Sequence, residues 1–577
     1  MSSPIRVDRD VPLEMRDGVI LRADVFRPDD GRKYPAIVVR TPYDKLTGGN
    51  SDYLSPMNAA MAGYAFVVQD VRGRYTSGGE FATDRPPGWD GYDTIEGLAA
   101  EPWCDGNVGM MGGSFVGALQ WQTAMENPPH LKAMAPSICT SGPLSETRMA
   151  GCVELEQGIS WFAGMAVDML DRMEQQGKDV AKARETLDHA RFNLEEVYNY
   201  LPINEIPHFQ FEGLAGAFGE RMKPDFSRFK TEEDLSWDYG KVHVPCLHAS
   251  GWYDLFGAGL FTNFNEMREK GGSDRARQGQ HLICGPWIHG RSSLFSYTGG
   301  LHFGPAASWA GGLIQERHVA FFDEYLKGMD SIFVPAIRYF VMGLNRWKEA
   351  DSWPLPQTDW QRFYLHGQGR ANTAAGNGLL TRDEPVSEPP DRFIYDPMFP
   401  VPTRGGNILP SGTLVPGPFD QTLIERREDV LCYTSPECRE PFEVTGPLTL
   451  HLFASTSVKD TDFTVKLVDI YPDGSAYNVA EGCIRAQYRE SVLAPREIVP
   501  GEVYEYTINM GATSIQFGKG HRLRIDVSSS NFPRIDRNMN TGNPFGEDRE
   551  GIPAMQTVFH DHTYPSYIDL PVIPGKE

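Results

Sequence analysis

The chain has no C-x-x-C pair, no H-E-x-x-H and no apolar run long enough to cross a bilayer, and each of these absences removes a class of function; the common G-x-S-x-G spelling is missing too, which removes none. Eight cysteines (104, 139, 152, 246, 284, 432, 438 and 483) are scattered over 577 residues, with only Cys432 and Cys438 close together. Reduced thiols in a cytoplasmic protein are the expectation. Fourteen histidines include His560-x-His562 but no Cys/His cluster with ligand spacing, so neither a metal nor another cofactor is expected. A membrane helix needs about 20 consecutive apolar residues, and the first ten residues carry no apolar signal core. Basic charge is in deficit: 54 Lys and Arg against 77 Asp and Glu leave a formal charge of −23. That disfavours nucleic acid and anionic membranes as partners, because both are bound by neutralising phosphate with Lys and Arg. Internal repeats and low-complexity linkers are absent too, although the length calls for about two to four domains.

What is present is a sequence in three textures. Over the first 140 residues, strand-like runs alternate with helical ones. Val19–Phe26 alternates, whereas 35–40, 64–70, 108–111 and 131–136 are short apolar runs suited to a sheet covered on both faces. Segment 90–100 and the stretch from Ser114 to about Glu126 have helical character. This order predicts a parallel α/β sheet. From Leu144 to Gly240 the strand signal disappears; Ile159–Gln176 has helical spacing and Asp179–Leu201 is expected to form one charged helix, so the segment is read as a helical insertion. Strand 244–250, helix 257–270, strand 281–284 and a closing helix at 314–328 resume the α/β pattern. After Asp351, alternating runs such as 448–454, 463–470 and 523–528 lie between Pro/Gly-rich turns, the pattern of an all-β sandwich or jelly roll. The boundaries expected are 1–143 with 241–352 for the α/β domain, 144–240 for the insertion and 353–577 for the β-domain.

The chemistry centres on Gly112-Gly113-Ser114-Phe115-Val116-Gly117, a serine between a strand and a helix. That context suits a nucleophile held on a sharp turn, but also a plain structural turn or a phosphate cradle at a helix N-terminus. A serine nucleophile needs a base and a carboxylate to fix the base's tautomer, supplied in an α/β-hydrolase arrangement from loops after later strands, in the order Ser, Asp/Glu, His. Asp254 follows the 244–250 strand and His289 follows the 281–284 strand. Taken alone, Asp254 could be a helix N-cap and His289 a loop histidine; their joint order favours catalysis. Oxyanion donors would be the Phe115 backbone N–H and, after an earlier strand, the Tyr43 hydroxyl, since a phenol of pKa near ~10 stays protonated.

These residues carry a resemblance to the cocaine esterase / X-Pro dipeptidyl-peptidase-like group of α/β-hydrolases, which includes α-amino acid ester hydrolases. It rests on Arg40-Thr41-Pro42-Tyr43-Asp44-Lys45, Asp70-Val71-Arg72-Gly73-Arg74, the Ser114 segment, Gly251-Trp252-Tyr253-Asp254 and Gly285-Pro286-Trp287-Ile288-His289, and continues through 462–469 and 528–533. The group's elbow reads G-x-S-Y-x-G, which accounts for Gly117; here Phe115 stands in place of the tyrosine. The resemblance implies Ser114 as nucleophile, His289 as base, Asp254 as orienter, Tyr43 and Phe115 N–H as oxyanion hole, and a helical cap and C-terminal jelly roll beside the catalytic domain. It places Trp161 in the acyl pocket, with Phe256 a second candidate; both are equally compatible with packing. Glu154 and Glu156 are the carboxylates that could bind a free amine, as the peptidase and amino-acid-ester branches require. The expectation is an ester hydrolase acting on a small-molecule ester with an aromatic or bulky apolar acyl group. The alternatives are a free-amine substrate, or a carbohydrate- or protein-binding role for the β-domain. A homodimer is compatible with the sequence.

Overall fold

The computed structural model describes residues 4–47, 53–81, 88–223, 225–290, 296–330, 335–412 and 414–575. The outermost ends of the first and last expected units (1–3, 576–577) lie outside the described residues. Ten strands build the first sheet: β1 (Ile5–Glu14), β2 (Ile20–Pro28), β3 (Tyr34–Thr41), β4 (Ala65–Asp70), β5 (Cys104–Gly113), β6 (Leu131–Ser137), β7 (Cys246–Tyr253), β8 (Gln280–Ile288), β9 (Ile337–Val341) and β10 (Arg346–Ala350). Their spatial order is β1-β2-β4-β3-β5-β6-β7-β8-β9-β10. From β4 to β9 all neighbours are parallel, while β1, β2 and β10 join antiparallel at the two edges. Strands β3, β4 and β7 are buried at every position, as continuous apolar runs in a doubly covered sheet require.

After β3 the chain goes to β4 on one side, and β5 returns to the other side of β3. Loops leaving the carboxyl ends of β3 and β5 therefore diverge at a switch point, where open α/β sheets form their crevice. The sheet is covered by α1 (Gly88–Ala100), α2 (Phe115–Met125), α7 (Gly257–Lys270) and α8 (Ile314–Lys327). Between β6 and β7 lie α3 (Leu155–Gln175), α4 (Ala181–Phe192), α5 (Leu194–Asn199) and α6 (Ala215–Met222), and the described residues of 144–240 contain no strand. They enclose a core that includes Phe162, Leu170, Leu187, Phe209 and Phe218.

The single charged helix expected over 179–201 is two helices. Asn193 breaks it, with φ −131° and ψ 45°, and its Nδ2 donates to the His189 carbonyl at 2.8 Å. An Asn side chain that takes a main-chain carbonyl competes with the helical ladder at that point. Strand β1 escaped the sequence reading because it is an edge strand with mostly charged, solvent-facing residues, bulged between Asp8 and Val11. The β9–β10 hairpin lies beyond the helix that the sequence offered as the closing element.

From Asp359 onward the described residues form an eleven-stranded all-β unit. One apolar cluster runs without interruption from β7, β8 and β9 (Tyr253, Leu282, Phe340) into this unit (Leu452, Val465, Ile525). Among the described residues no helix is long and apolar enough to cross a membrane.

Candidate active site

The elbow shows why glycine recurs in it. Gly112 has φ +132°, a backbone state that side chains rarely adopt. A Cβ on Gly113 would lie 2.6 Å from Ile138 Cγ1, and one on Gly117 would lie 2.8 Å from the Ser137 carbonyl and 2.9 Å from Cys139 Cβ. Gly117, one position later than the common motif has it, is thus where α2 crosses the end of β6. G117A should destabilise the fold by about 1–3 kcal/mol through overpacking, read as a lower urea midpoint at unchanged slope. Gln120 on α2 reinforces the joint: its Nε2 donates to the Gly112 carbonyl at 2.9 Å and its Oε1 accepts from Ala135 N at 3.1 Å. Ser114 itself has φ 61° and ψ −129°, a strained state for a residue with a Cβ. Its N–H is held by the carbonyls of Ser137 (3.0 Å) and Ile138 (3.1 Å), which tie the strained residue to β6.

Strand ends β5, β7 and β8 bring together three residues far apart in sequence. His289 Nε2 lies 2.9 Å from Ser114 Oγ, and His289 Nδ1 lies 3.0 Å from Asp254 Oδ2. Asp254 is fully buried and His289 is buried beside it. The second carboxylate oxygen, Asp254 Oδ1, accepts from the Phe256 N–H at 2.7 Å. Asp254 does not cap α7, whose N-cap is Phe256; one oxygen fixes its own loop and the other faces the imidazole. The arrangement allows His289 to take the Ser114 proton while Asp254 holds the Nδ1–H tautomer.

The Tyr43 hydroxyl has the Ser114 side chain and the Trp161 N–H (3.0 Å) as hydrogen-bonding neighbours. Burial pushes this phenol above its ordinary value, so it remains a neutral donor. Its loop is clamped by residues from the Asp70–Arg74 motif. Asp70 Oδ1 accepts from Lys45 N at 2.8 Å, Arg74 Nε donates to the Pro42 carbonyl at 3.1 Å, and the Arg74 guanidinium pairs with Asp168 of α3 at 3.3 Å.

Above Ser114 opens a cavity of about 700 Å³ lined by Tyr43, Phe115, Trp161, Phe256, Glu154 and Arg221, among others. Both aromatic candidates, Trp161 and Phe256, therefore reach the site; the Phe256 ring meets the His289 imidazole edge-on at 5.4 Å. The two acidic candidates separate. Glu154 lines the cavity with Oε1 unpaired and Oε2 3.8 Å from Arg148 Nε. Glu156 points away: its carboxylate accepts from Leu409 N of the β-unit and from Ser160 Oγ, both at 3.3 Å, and burial pushes it up to about 7. Glu154, the N-cap of α3, and Glu156 in its first turn face different sides, so Glu156 is not available to a substrate.

Two supporting residues carried no sequence signal. Asn407, 153 residues after Asp254, donates from Nδ2 to the Asp254 carbonyl at 2.9 Å. Its own N–H is held by Glu481 at 2.7 Å, and Glu481 pairs with Arg534 at 3.0 Å. The β-unit thereby braces the loop that carries Asp254. Glu146 shares a small cavity of about 70 Å³ with Asp254, Asn407, Glu481 and Arg534, and burial pushes its carboxyl up to about 8. Its folded pKa exceeds the ordinary value of 4.5, so the folded state binds the extra proton and stability falls as pH rises from about 4.5 through about 8. E146Q should flatten that fall, measured as urea midpoints at pH 5 and pH 8.5; an unchanged difference would refute the assignment. Among the described residues no group of three or more His, Cys, Asp or Glu could hold a metal ion.

Residues 17–291 match the X-Pro dipeptidyl-peptidase (S15 family) profile and residues 334–569 the X-Pro dipeptidyl-peptidase C-terminal non-catalytic domain. The chain is 36% identical to the cocaine esterase of Rhodococcus sp. (strain MB1 Bresler), over 98% of each protein. An aminopeptidase from a marine sediment archaeon (Thaumarchaeota archaeon) shares its fold at a TM-score of 0.80 and 24% identity, covering 100% of this chain and 97% of that one. An α-amino acid ester hydrolase does so at 0.77 and 23%, covering 99% and 97%. Identity of 36% over almost the whole of both proteins, together with the two matched profiles, places this protein in the hydrolytic cocaine esterase / X-Pro dipeptidyl-peptidase-like (S15-type) family.

Proposed function

We propose that the chain is a serine hydrolase of carboxylic esters, working through an acyl-enzyme on Ser114. The observation that carries this reading is the continuous line from Asp254 through His289 to Ser114 at 3.0 and 2.9 Å. His289 accepts the Ser114 proton as Oγ attacks the ester carbonyl, and Asp254 stabilises the imidazolium. The developing oxyanion is met by the Tyr43 hydroxyl and the Phe115 N–H. His289 then returns the proton to the departing alcohol, and a water molecule repeats the sequence to release the acid. A covalent serine probe followed by peptide mass spectrometry should label Ser114; folded protein that reacts elsewhere, or not at all, would sink the reading.

The acyl group favoured is aromatic or bulky and apolar, because Phe115, Trp161 and Phe256 line the cavity beside the reacting serine. In this reading residues 1–143 and 241–352 are the catalytic α/β-hydrolase domain, 144–240 a helical cap that supplies Trp161, and 353–577 a jelly roll that braces Asp254. A small-molecule ester is the partner, and the reaction needs no cofactor. One observation favours a second reading: Glu154 is among the residues that line the cavity and its buried Oε1 has no hydrogen-bond partner, so a carboxylate stands where a free-amine substrate would need one. Arg148 beside it offsets that charge. A panel of aryl esters, amino-acid esters and X-Pro amides separates the two, and preference for free-amine substrates would reverse the choice.

A further inference from the structure

Trp161 does more than wall the cavity. Its Nε1–H donates to the Tyr43 hydroxyl oxygen at 3.0 Å, across 118 residues of sequence. A phenolic proton lies near the ring plane and has two orientations. When an N–H occupies one side of the oxygen, the proton is left for the other side, where Ser114 is the remaining hydrogen-bonding neighbour. An unanchored Tyr43 hydroxyl would have to be oriented during the reaction; an anchored one is already aimed where charge develops.

The indole is itself fixed from several directions. The Phe115 ring stacks on it at 6.0 Å between centroids and 27° between planes, and Phe81 backs Phe115 at 6.0 Å. The Arg221 guanidinium sits 5.2 Å from the indole centroid and donates to the Gln157 side chain, one turn earlier on α3. A cation over the ring withdraws electron density and makes the N–H a better donor. Residue 115 thus serves both halves of the oxyanion hole: its N–H directly, and its ring through the indole.

Resting on Ser114 as nucleophile, we propose that Trp161 is a positioning residue for the oxyanion hole, with its N–H orienting the Tyr43 hydroxyl and the Phe115 ring orienting Trp161. No proton is transferred in this role: Tyr43 keeps its proton and shares it with the oxyanion.

The test must separate this role from acyl binding, so it uses 4-nitrophenyl acetate, whose acyl group is too small to lean on the indole. W161F keeps an aromatic ring and loses the N–H. It should lower kcat about tenfold with KM within about twofold, while Y43F lowers kcat about 10²-fold as loss of an oxyanion donor does. In the Y43F background W161F should cost less than about twofold more, because residues acting through one another are not additive. W161H, which retains a ring N–H, should keep more of kcat than W161F. An unchanged kcat in W161F, or the same tenfold loss with and without Tyr43, would overturn the proposal. Cooperative melting and stoichiometric organophosphonate labelling establish that each variant is folded; if W161F fails there, W161L takes its place in the cycle under the same criteria. Turnover persisting in S114A would instead overturn the reading of the site on which this proposal rests.

Discussion

S114A should lower ester turnover by about 10⁶-fold and abolish covalent labelling, since loss of a triad nucleophile leaves only binding and the oxyanion hole. The measurement is kcat on an aryl ester, with circular dichroism and melting to show an intact fold. Ser114 also allows a second, opposite expectation. Its φ of 61° and ψ of −129° burden any residue with a Cβ, whereas glycine has no such penalty there. S114G should therefore be as inactive as S114A yet more stable than the wild type by about 1–2 kcal/mol, read from urea midpoints. An equally inactive but destabilised S114G would mean that the elbow geometry is not strained in solution. Substantial turnover in either variant would remove Ser114 from the chemistry.

D254N should lower kcat by about 10⁴-fold while leaving the fold in place. The structure gives a specific reason. Asp254 Oδ1 accepts from the Phe256 N–H at 2.7 Å, and that donor is tied to the loop. An asparagine must keep its carbonyl oxygen towards Phe256, because turning the amide over would set N–H against N–H. Its NH₂ then faces His289 Nδ1, which can only accept. The imidazole proton is driven to Nε2, 2.9 Å from Ser114 Oγ, and the ring can no longer receive the serine proton. D254A leaves the tautomer free and should retain more activity than D254N. The reverse order would show that charge, not tautomer control, is the main service of Asp254.

That Ser114, Asp254 and His289 would be candidates for one site was legible in the sequence for a physical reason. Each member stands just after a short apolar run, and such runs are what fully buried parallel strands look like. Chain order then limited the choice of partners. Tyr43 could be named in the same way, from the loop after β3. Other features escaped because their determinants are not local. Strand β1 is charged and exposed along its edge, so no apolar period marks it. The break at Asn193 depends on one side chain capturing one carbonyl, inside a stretch whose composition is helical on both sides. Glu154 and Glu156 looked equivalent; the packing of α3 turned one into the cavity and the other towards Leu409.

By itself the sequence determined the alternation of strands and helices in the α/β part, the strand-free segment after it and the β-rich remainder, the excess of negative charge, the glycines of the elbow, and Ser114, Asp254 and His289 as the candidates for the chemistry. Those depend on periodicity, composition and backbone sterics, which act over a few residues. The tertiary structure alone decided what surrounds them. Trp161 holds Tyr43 from the helical segment, Asn407 braces Asp254 from the β-unit, and Arg74 ties Pro42 to α3. Such contacts join segments separated by up to 153 residues. They arise only when the sheet, the helices and the β-unit close on one another, because a hydrogen bond fixes a distance in space, which spacing along the chain does not.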